Sequence, residues 1–221
     1  MPAAVLFDLY DTIVRSDWGR FRQEAADLLG IEVHVLERAL TDTRPARSTG
    51  VYPDVESETR AVIEATGIDD PPVELIRSVA SAEFAFQRDG VTLEPDVAPV
   101  TNGLRVRGVR TALVSNCSHA TVPLAQRLGL YDIFDQVVLS FRVGARKPDR
   151  RIYEAALRGL GGVAPEDTLF VDDQVTFCDG ARALGMDTRL VIRPGVSPPE
   201  GISAQANGHV VIEDLLPVLD A

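Results

Sequence analysis

Six short apolar runs rich in β-branched residues recur along the chain, at residues 3–7, 111–114, 136–139, 168–171, 188–192 and 209–212. Residues 120–128, 150–160 and 180–184, lying between the later runs, have apolar positions at helical spacing. Near-continuous apolar strands alternating with helices predict an α/β fold, a parallel sheet covered on both faces. Such a sheet places its chemistry beyond the carboxyl ends of its strands. Asp8, Ser115 and Asp172 each stand at that end of a predicted strand, so three polar residues far apart in sequence are expected to converge on one crevice.

The stretch between the first two runs is patterned differently. Trp18, Phe21, Ala25, Leu28 and Leu29 have the spacing of one helical face, and Val33, Leu36 and Leu40 that of a second. Thr59, Val62 and Ile63 suggest a third, and Val73, Ile76, Val79, Ala80 and Phe84 a fourth. Breaks fall at Gly30, Thr49-Gly50, Pro53 and Pro71-Pro72. The pattern predicts an all-helical insert, residues 16–95, seated as a cap over a core built from residues 1–15 and 96–221. Residues 194–208, with Pro198-Pro199, are expected to form a loop before a last strand and helix.

With 221 residues, 45% hydrophobic and 25% charged, the chain has enough apolar material for a full core. Its net charge of −11 argues against nucleic acid or an anionic membrane as partner, since both require a basic footprint. An anionic small molecule is still compatible, because a metal or a few local cations set the field of one pocket. Cys117 and Cys178 have neither the number nor the spacing of a disulfide framework or a zinc site. No run reaches the ~20 apolar residues of a membrane helix, and the first run lacks the flanks of a signal peptide. A cytoplasmic monomer or homodimer is expected.

Four elements carry candidate chemistry. Asp8 ends the first strand, with Thr12 four residues on; a carboxylate needs no base to act as a nucleophile, only ionisation and a substrate in line. Ser115-Asn116 ends the second strand, where a hydroxyl and backbone N–H groups can meet an anionic oxygen. Lys147, held in a turn by Pro148, can neutralise Asp8 and a bound anion. Asp172-Asp173 places two carboxylates after a buried run, where they repel each other unless a cation satisfies them. Mg²⁺ suits such a pair. Alone, each element is common: strand-end aspartates also cap turns, Ser and Asn also cap helices, and loop lysines are usually solvated.

In this order, with a helical insert after the first, the four elements resemble the haloacid dehalogenase-like hydrolase superfamily. Tyr153 after Lys147-Pro148, and Gly180 to Met186 after Asp172-Asp173, extend the resemblance. It implies a Rossmann-like sheet with an inserted helical cap. Most members are Mg²⁺-dependent phosphatases, in which the first aspartate attacks phosphorus to form an aspartyl-phosphate. Carried over, Asp8 is nucleophile and metal ligand, and the Tyr10 carbonyl a further ligand. Ser115, Asn116, Thr12 and Lys147 hold the phosphate, Asp172 and Asp173 the metal, and the substrate is a small phosphorylated metabolite.

The departure is at Tyr10, where phosphatases of this kind carry the aspartate that protonates the leaving oxygen and then activates water. A tyrosine, with an ordinary pKa of about 10, is a poor base at neutral pH. The nearest acid is Asp11, one place later, and either residue is open as the proton carrier. The founding dehalogenases have tyrosine at this place, because halide leaves without a proton; they use no metal and carry neutral residues where this chain has Asp172-Asp173. A metal-independent 2-haloacid dehalogenase is therefore the alternative, and a binding module on a retired hydrolase fold a further one. Elsewhere, His119 is expected in the first turn of a helix, Cys178 in a packed helix and Arg146 in solvent. Arg20, Arg22 and Arg47 are expected on solvated cap faces, with one exception left open for contact with an anionic substrate.

Overall fold

The computed structural model describes residues 1–195 and 208–221. Its strands are β1 (Ala4–Phe7), β2 (Val14–Ser16), β3 (Val91–Leu93), β4 (Arg110–Ser115), β5 (Gln136–Leu139), β6 (Thr168–Asp172), β7 (Asp187–Val191) and β8 (Val210–Ile212). The helices are α1 (Trp18–Leu29), α2 (Val33–Ser48), α3 (Val55–Ala65), α4 (Val73–Asp89), α5 (Val97–Val106), α6 (Thr121–Arg127), α7 (Leu130–Ile133), α8 (Ser140–Val143), α9 (Arg150–Gly159) and α10 (Val175–Arg182). Six strands form one parallel sheet in the order β5-β4-β1-β6-β7-β8. β1 is central, and the chain runs outward on one side through β4 and β5 before returning to its other side at β6. That reversal opens a crevice at the carboxyl ends of β4, β1 and β6.

All four residues of β1 are buried, and their alternation splits the core in two. Val5 and Phe7 face one cluster with α5 and the inserted helices. Ala4 and Leu6 face the other, with Ile152, Tyr153 and Ala156 of α9 and Ala181 of α10. α1 starts at Asp17, whose side chain accepts from the Gly19 N–H, and ends at Gly30 in the left-handed region with φ 66°.

Between β1 and β4 lie α1 to α4, preceded and followed by β2 and β3, which pair antiparallel with Val14 opposite Leu93. Neither Val-Arg-Ser nor Val-Thr-Leu is an apolar run of the kind that marks the other strands, and this ribbon is an addition to the helical insert. Leu28 and Phe84, expected on buried faces, are exposed. The buried stripe of α4 runs through Ile76, Val79, Ala82 and Phe86 and turns Phe84 outward. The helix expected at 180–184 starts earlier, at Val175, because the acidic turn before it is only two residues long. The loop expected at 194–208 lies, apart from its ends, outside the described residues. Among those described, no helix is long and apolar enough to cross a membrane.

Candidate active site

Asp8 immediately follows β1, and its N–H still donates to the Val171 carbonyl at 2.9 Å, continuing the ladder to β6. This sets its carboxylate beside those of Asp172 and Asp173. One oxygen from each of the three lies within 4.8 Å of the others. Lys147 is fully buried, and its ammonium donates to Asp8 Oδ1 and, at 2.7 Å, to Asp172 Oδ2. Burial alone would push that ammonium down; the charges of Asp172 and Asp8 more than offset it and hold it above its ordinary value.

Three carboxylates against one ammonium leave an excess of negative charge. Burial pushes Asp172 up to about 7 against the pull of Lys147, and pushes Asp173 up to about 9 with the charges of Asp172 and Asp8 adding. This donor set of hard, crowded oxygens fits a divalent cation such as Mg²⁺. Both Asp172 oxygens are engaged, Oδ1 by the Gln174 N–H at 2.8 Å and Oδ2 by Lys147. Asp173 holds one contact, from Gln174 Nε2 to Oδ2 at 2.5 Å.

The lysine is placed by Asn116. Asn116 Oδ1 accepts from the Lys147 N–H at 2.7 Å, and Asn116 Nδ2 donates to the Lys147 carbonyl at 3.0 Å. The side chain expected to touch phosphate is thus committed to backbone. On the far side, Gly180 of α10 lies against Pro148, where an added Cβ would meet Pro148 Cβ at 2.7 Å. Tyr153 adds a hydrogen bond from its hydroxyl to the Phe177 carbonyl at 2.7 Å.

Two hydroxyls wait for partners. Thr12 Oγ1 and Ser115 Oγ are both buried, and neither has a hydrogen-bond partner among the described residues. Each follows or ends a strand at this crevice, and an unpaired buried hydroxyl is costly unless a ligand completes it.

Tyr10 and Asp11 are both brought to the crevice. The Tyr10 hydroxyl pairs with Thr121 Oγ1 at 3.3 Å, and its ring packs edge-on against Trp18 at 5.5 Å. Burial raises this phenol far above its ordinary value, which removes it as a base at neutral pH. Asp11 has φ 59°, a left-handed backbone that non-glycine residues seldom adopt. Its carboxyl is only partly buried and is raised by burial, then by the charges of Asp8 and Glu94.

A cavity of about 520 Å³ opens above this floor. Tyr10, Asp11, Asn116 and Thr121 line it from below, and α1, α2 and α4 roof it with Trp18, Arg47 and Glu83 among others. Arg22 and Arg47 face this cavity, whereas Arg20 lies elsewhere on the surface. Arg146, expected in solvent, is partly buried. His119 precedes α6 rather than lying in it. Its ring packs on Phe141 at 4.2 Å and its Nδ1 pairs with Glu58 Oε1 of α3 at 2.8 Å, joining insert to core.

Nothing in the sequence pattern singles out Arg193. It is buried just beyond β7, where Nε and Nη2 donate to the Thr12 carbonyl at 3.1 and 2.7 Å. Nη1 and Nη2 reach the two Asp96 oxygens at 2.6 and 3.0 Å. It thus fixes the loop after Asp8 and the chain just past β3 together.

A model of haloacid dehalogenase-like hydrolases matches residues 2–185. Phosphatase MT3486 of Mycobacterium tuberculosis is 28% identical over 210 residues, 87% of this chain and 88% of that protein. A haloacid dehalogenase family enzyme of Bacteroides thetaiotaomicron, solved with magnesium and inorganic phosphate, superposes with a TM-score of 0.69 at 18% identity over 90% of this chain and 96% of its own. L-2-haloacid dehalogenase of Xanthobacter autotrophicus gives 0.66 at 21% identity, covering 100% of this chain and 98% of its own. At those identities the two structures speak for the fold alone. The family model spans most of the sequence, including Asp8, Ser115, Lys147 and Asp172-Asp173, and the chain is a hydrolase that belongs to the haloacid dehalogenase-like family.

Proposed function

We propose that the protein is a Mg²⁺-dependent phosphatase of a small phosphorylated metabolite, working through an aspartyl-phosphate on Asp8. The observation that carries this reading is the grouping of Asp8, Asp172 and Asp173 around one buried ammonium. A similar protein named as a phosphatase, and a similar fold solved with magnesium and phosphate, agree with it.

Asp8, Asp173 and the Tyr10 carbonyl would hold Mg²⁺, with Asp172 completing the acidic wall and fixing Lys147. The ion, when bound, supplies positive charge to the transferring phosphoryl oxygens. The Thr12 and Ser115 hydroxyls donate to those oxygens, and Lys147 holds Asp8 aligned. An Asp8 oxygen attacks phosphorus as the ester P–O bond breaks. Asp11, whose side chain lines the cavity, gives its proton to the leaving oxygen. Water then attacks the aspartyl-phosphate, Asp11 takes a proton from it, and phosphate leaves with Asp8 regenerated.

Hydrolysis of p-nitrophenyl phosphate tests this. Release of phosphate should require Mg²⁺, stop on chelation and vanish in Asp8→Asn. Activity indifferent to chelator would sink the reading. The second reading, a metal-independent 2-haloacid dehalogenase, is favoured by Tyr10, whose hydroxyl is neutral and engaged by Thr121. It requires halide release from a 2-haloacid in the presence of chelator. The acidic pair Asp172-Asp173 works against it, since these oxygens, crowded beside Asp8, disfavour the carboxylate of a haloacid.

A further inference from the structure

Outside the catalytic floor, the cavity is lined by unevenly paired charges. Arg22 Nε pairs with Glu37 Oε1 at 3.2 Å, which closes one end. At the other end of α2, Arg44 and Arg47 also line the cavity. Arg47 donates to Thr43 Oγ1 at 3.1 Å and to the Leu40 carbonyl at 2.9 Å, neither of them acidic. Among the described residues, no carboxylate lies within 4.0 Å of the guanidinium of Arg44, Arg47 or Arg146. Glu83 faces the cavity from α4, and burial raises its carboxyl even against the charge of Arg47. Asp11 is the remaining acid of the lining and belongs to the catalytic floor.

Arg44 acts on both of the other arginines. Burial lowers Arg146, and the charge of Arg44 lowers it further. Burial lowers Arg47 as well; Glu83 and Glu58 partly offset this, and Arg44 adds to it. Arg44 and Arg47 belong to the insert, whereas Arg146 adjoins the catalytic Lys147. The two parts meet closely here: an added Cβ at Gly50, just past α2, would collide with the Phe141 carbonyl of α8. In a chain of net charge −11, Arg44 and Arg47 thus line one wall of the cavity with no carboxylate of the described residues within 4.0 Å of either. Such an arrangement is unfavourable alone and favourable once an anion sits within it.

We propose that the substrate carries, besides its phosphate, a second anionic group, a carboxylate or another phosphate, held by Arg44 and Arg47 of the insert, which line the cavity. The inference rests on the phosphatase reading for the first phosphate and extends it to the far end of the substrate. A short, compact bis-anion fits a cavity of about 520 Å³ whose walls between the two charged ends are Trp18, Phe21 and Leu40. A substrate held at both ends bridges the insert's arginines and the catalytic residues of the core.

Binding of two phosphonates that cannot be hydrolysed tests the subsite, by calorimetry with Mg²⁺ present. 3-Phosphonopropionate carries the second anion; propylphosphonate has the same reach without it. The first should bind at least about tenfold more tightly, the scale of one charge-assisted contact. The gap should narrow to about two- to threefold in the double variant Arg44→Met/Arg47→Met, and narrow in the wild type as salt is raised. Equal binding of the two by the wild type, no binding of either, or a gap that survives the double variant would overturn the proposal. Hydrolysis of p-nitrophenyl phosphate, which has no second anion, decides the phosphatase reading separately. A protein that hydrolyses it yet binds both phosphonates alike loses the subsite and keeps the activity.

Discussion

Lys147 Nζ lies 2.7 Å from Asp172 Oδ2, and neither side chain is exposed at all. Water therefore cannot replace either partner, and the same ammonium also serves Asp8. Truncating one member of a buried ionic group leaves the others uncompensated. Lys147→Met should lose phosphatase activity and about 3–5 kcal/mol of stability in urea. Mg²⁺ should recover part of the stability but not the activity, because a cation can neutralise the carboxylates without restoring the alignment of Asp8. A variant as stable as the parent in chelator contradicts this account.

The acidic wall makes stability depend on pH with a definite sign. Asp172 is raised to about 7 and Asp173 to about 9, both above the unfolded value of about 3.9. Between those limits the folded chain holds more protons at these sites than the unfolded chain does. Their contribution is full at low pH and is lost as pH rises through the folded values. In chelator, the melting temperature should fall between about pH 4 and 9, less steeply in Asp173→Asn, and Mg²⁺ should flatten it. Identical profiles for parent and variant would count against the coupling.

Tyr10 and Asp11 give opposite expectations. Tyr10→Phe removes one 3.3 Å contact to Thr121 and keeps the ring on Trp18. It should cost about 1 kcal/mol or less and leave kcat within a few-fold. Asp11→Asn should lower kcat by about 10²–10⁴ for alkyl phosphates, and by less for p-nitrophenyl phosphate, whose leaving oxygen needs little help. Steady-state kinetics on both substrates separates the two residues; a large loss in Tyr10→Phe alone reverses the assignment.

Arg193 makes four hydrogen bonds, two to the Thr12 carbonyl and two to Asp96, and Asp96 Oδ2 also accepts from the Leu215 N–H at 2.7 Å. Arg193→Met should destabilise by about 3–5 kcal/mol, since Asp96 is left nearly buried and unpaired. Arg193→Lys keeps the charge but loses the planar fork and should fall between the two. Because the clamp holds the loop carrying Thr12, kcat should fall more than KM rises. Denaturation curves with parallel kinetics read both effects.

The inner strands β4, β1 and β6 were legible because each is an almost wholly buried run of four to six residues, and Asp8, Ser115 and Asp172 could be aligned from where those runs stop. Lys147 was visible through its proline, although its complete burial was not. The roles of Asn116 and Arg193 were hidden for a common reason. Both act on backbone carbonyls or N–H groups distant in sequence, and such partners leave no trace in residue type or period. The ribbon of β2 and β3 has no apolar run of the kind that marks the other strands, and α4 carried enough apolar residues that two different stripes could be drawn on it. The left-handed turn at Asp11 had no glycine to announce it.

That ribbon has a consequence for how such a protein changes over generations. Val14 stands opposite Leu93, so the chain leaves the sheet-bearing part and re-enters it at adjacent positions. Everything between is a detour with a single doorway. A detour of that kind can be lengthened, trimmed or exchanged without moving the register of β1 against β4 and β6, on which Asp8 and its neighbours depend. The cavity walls that the detour supplies can therefore vary while the residues around Asp8 stay in place.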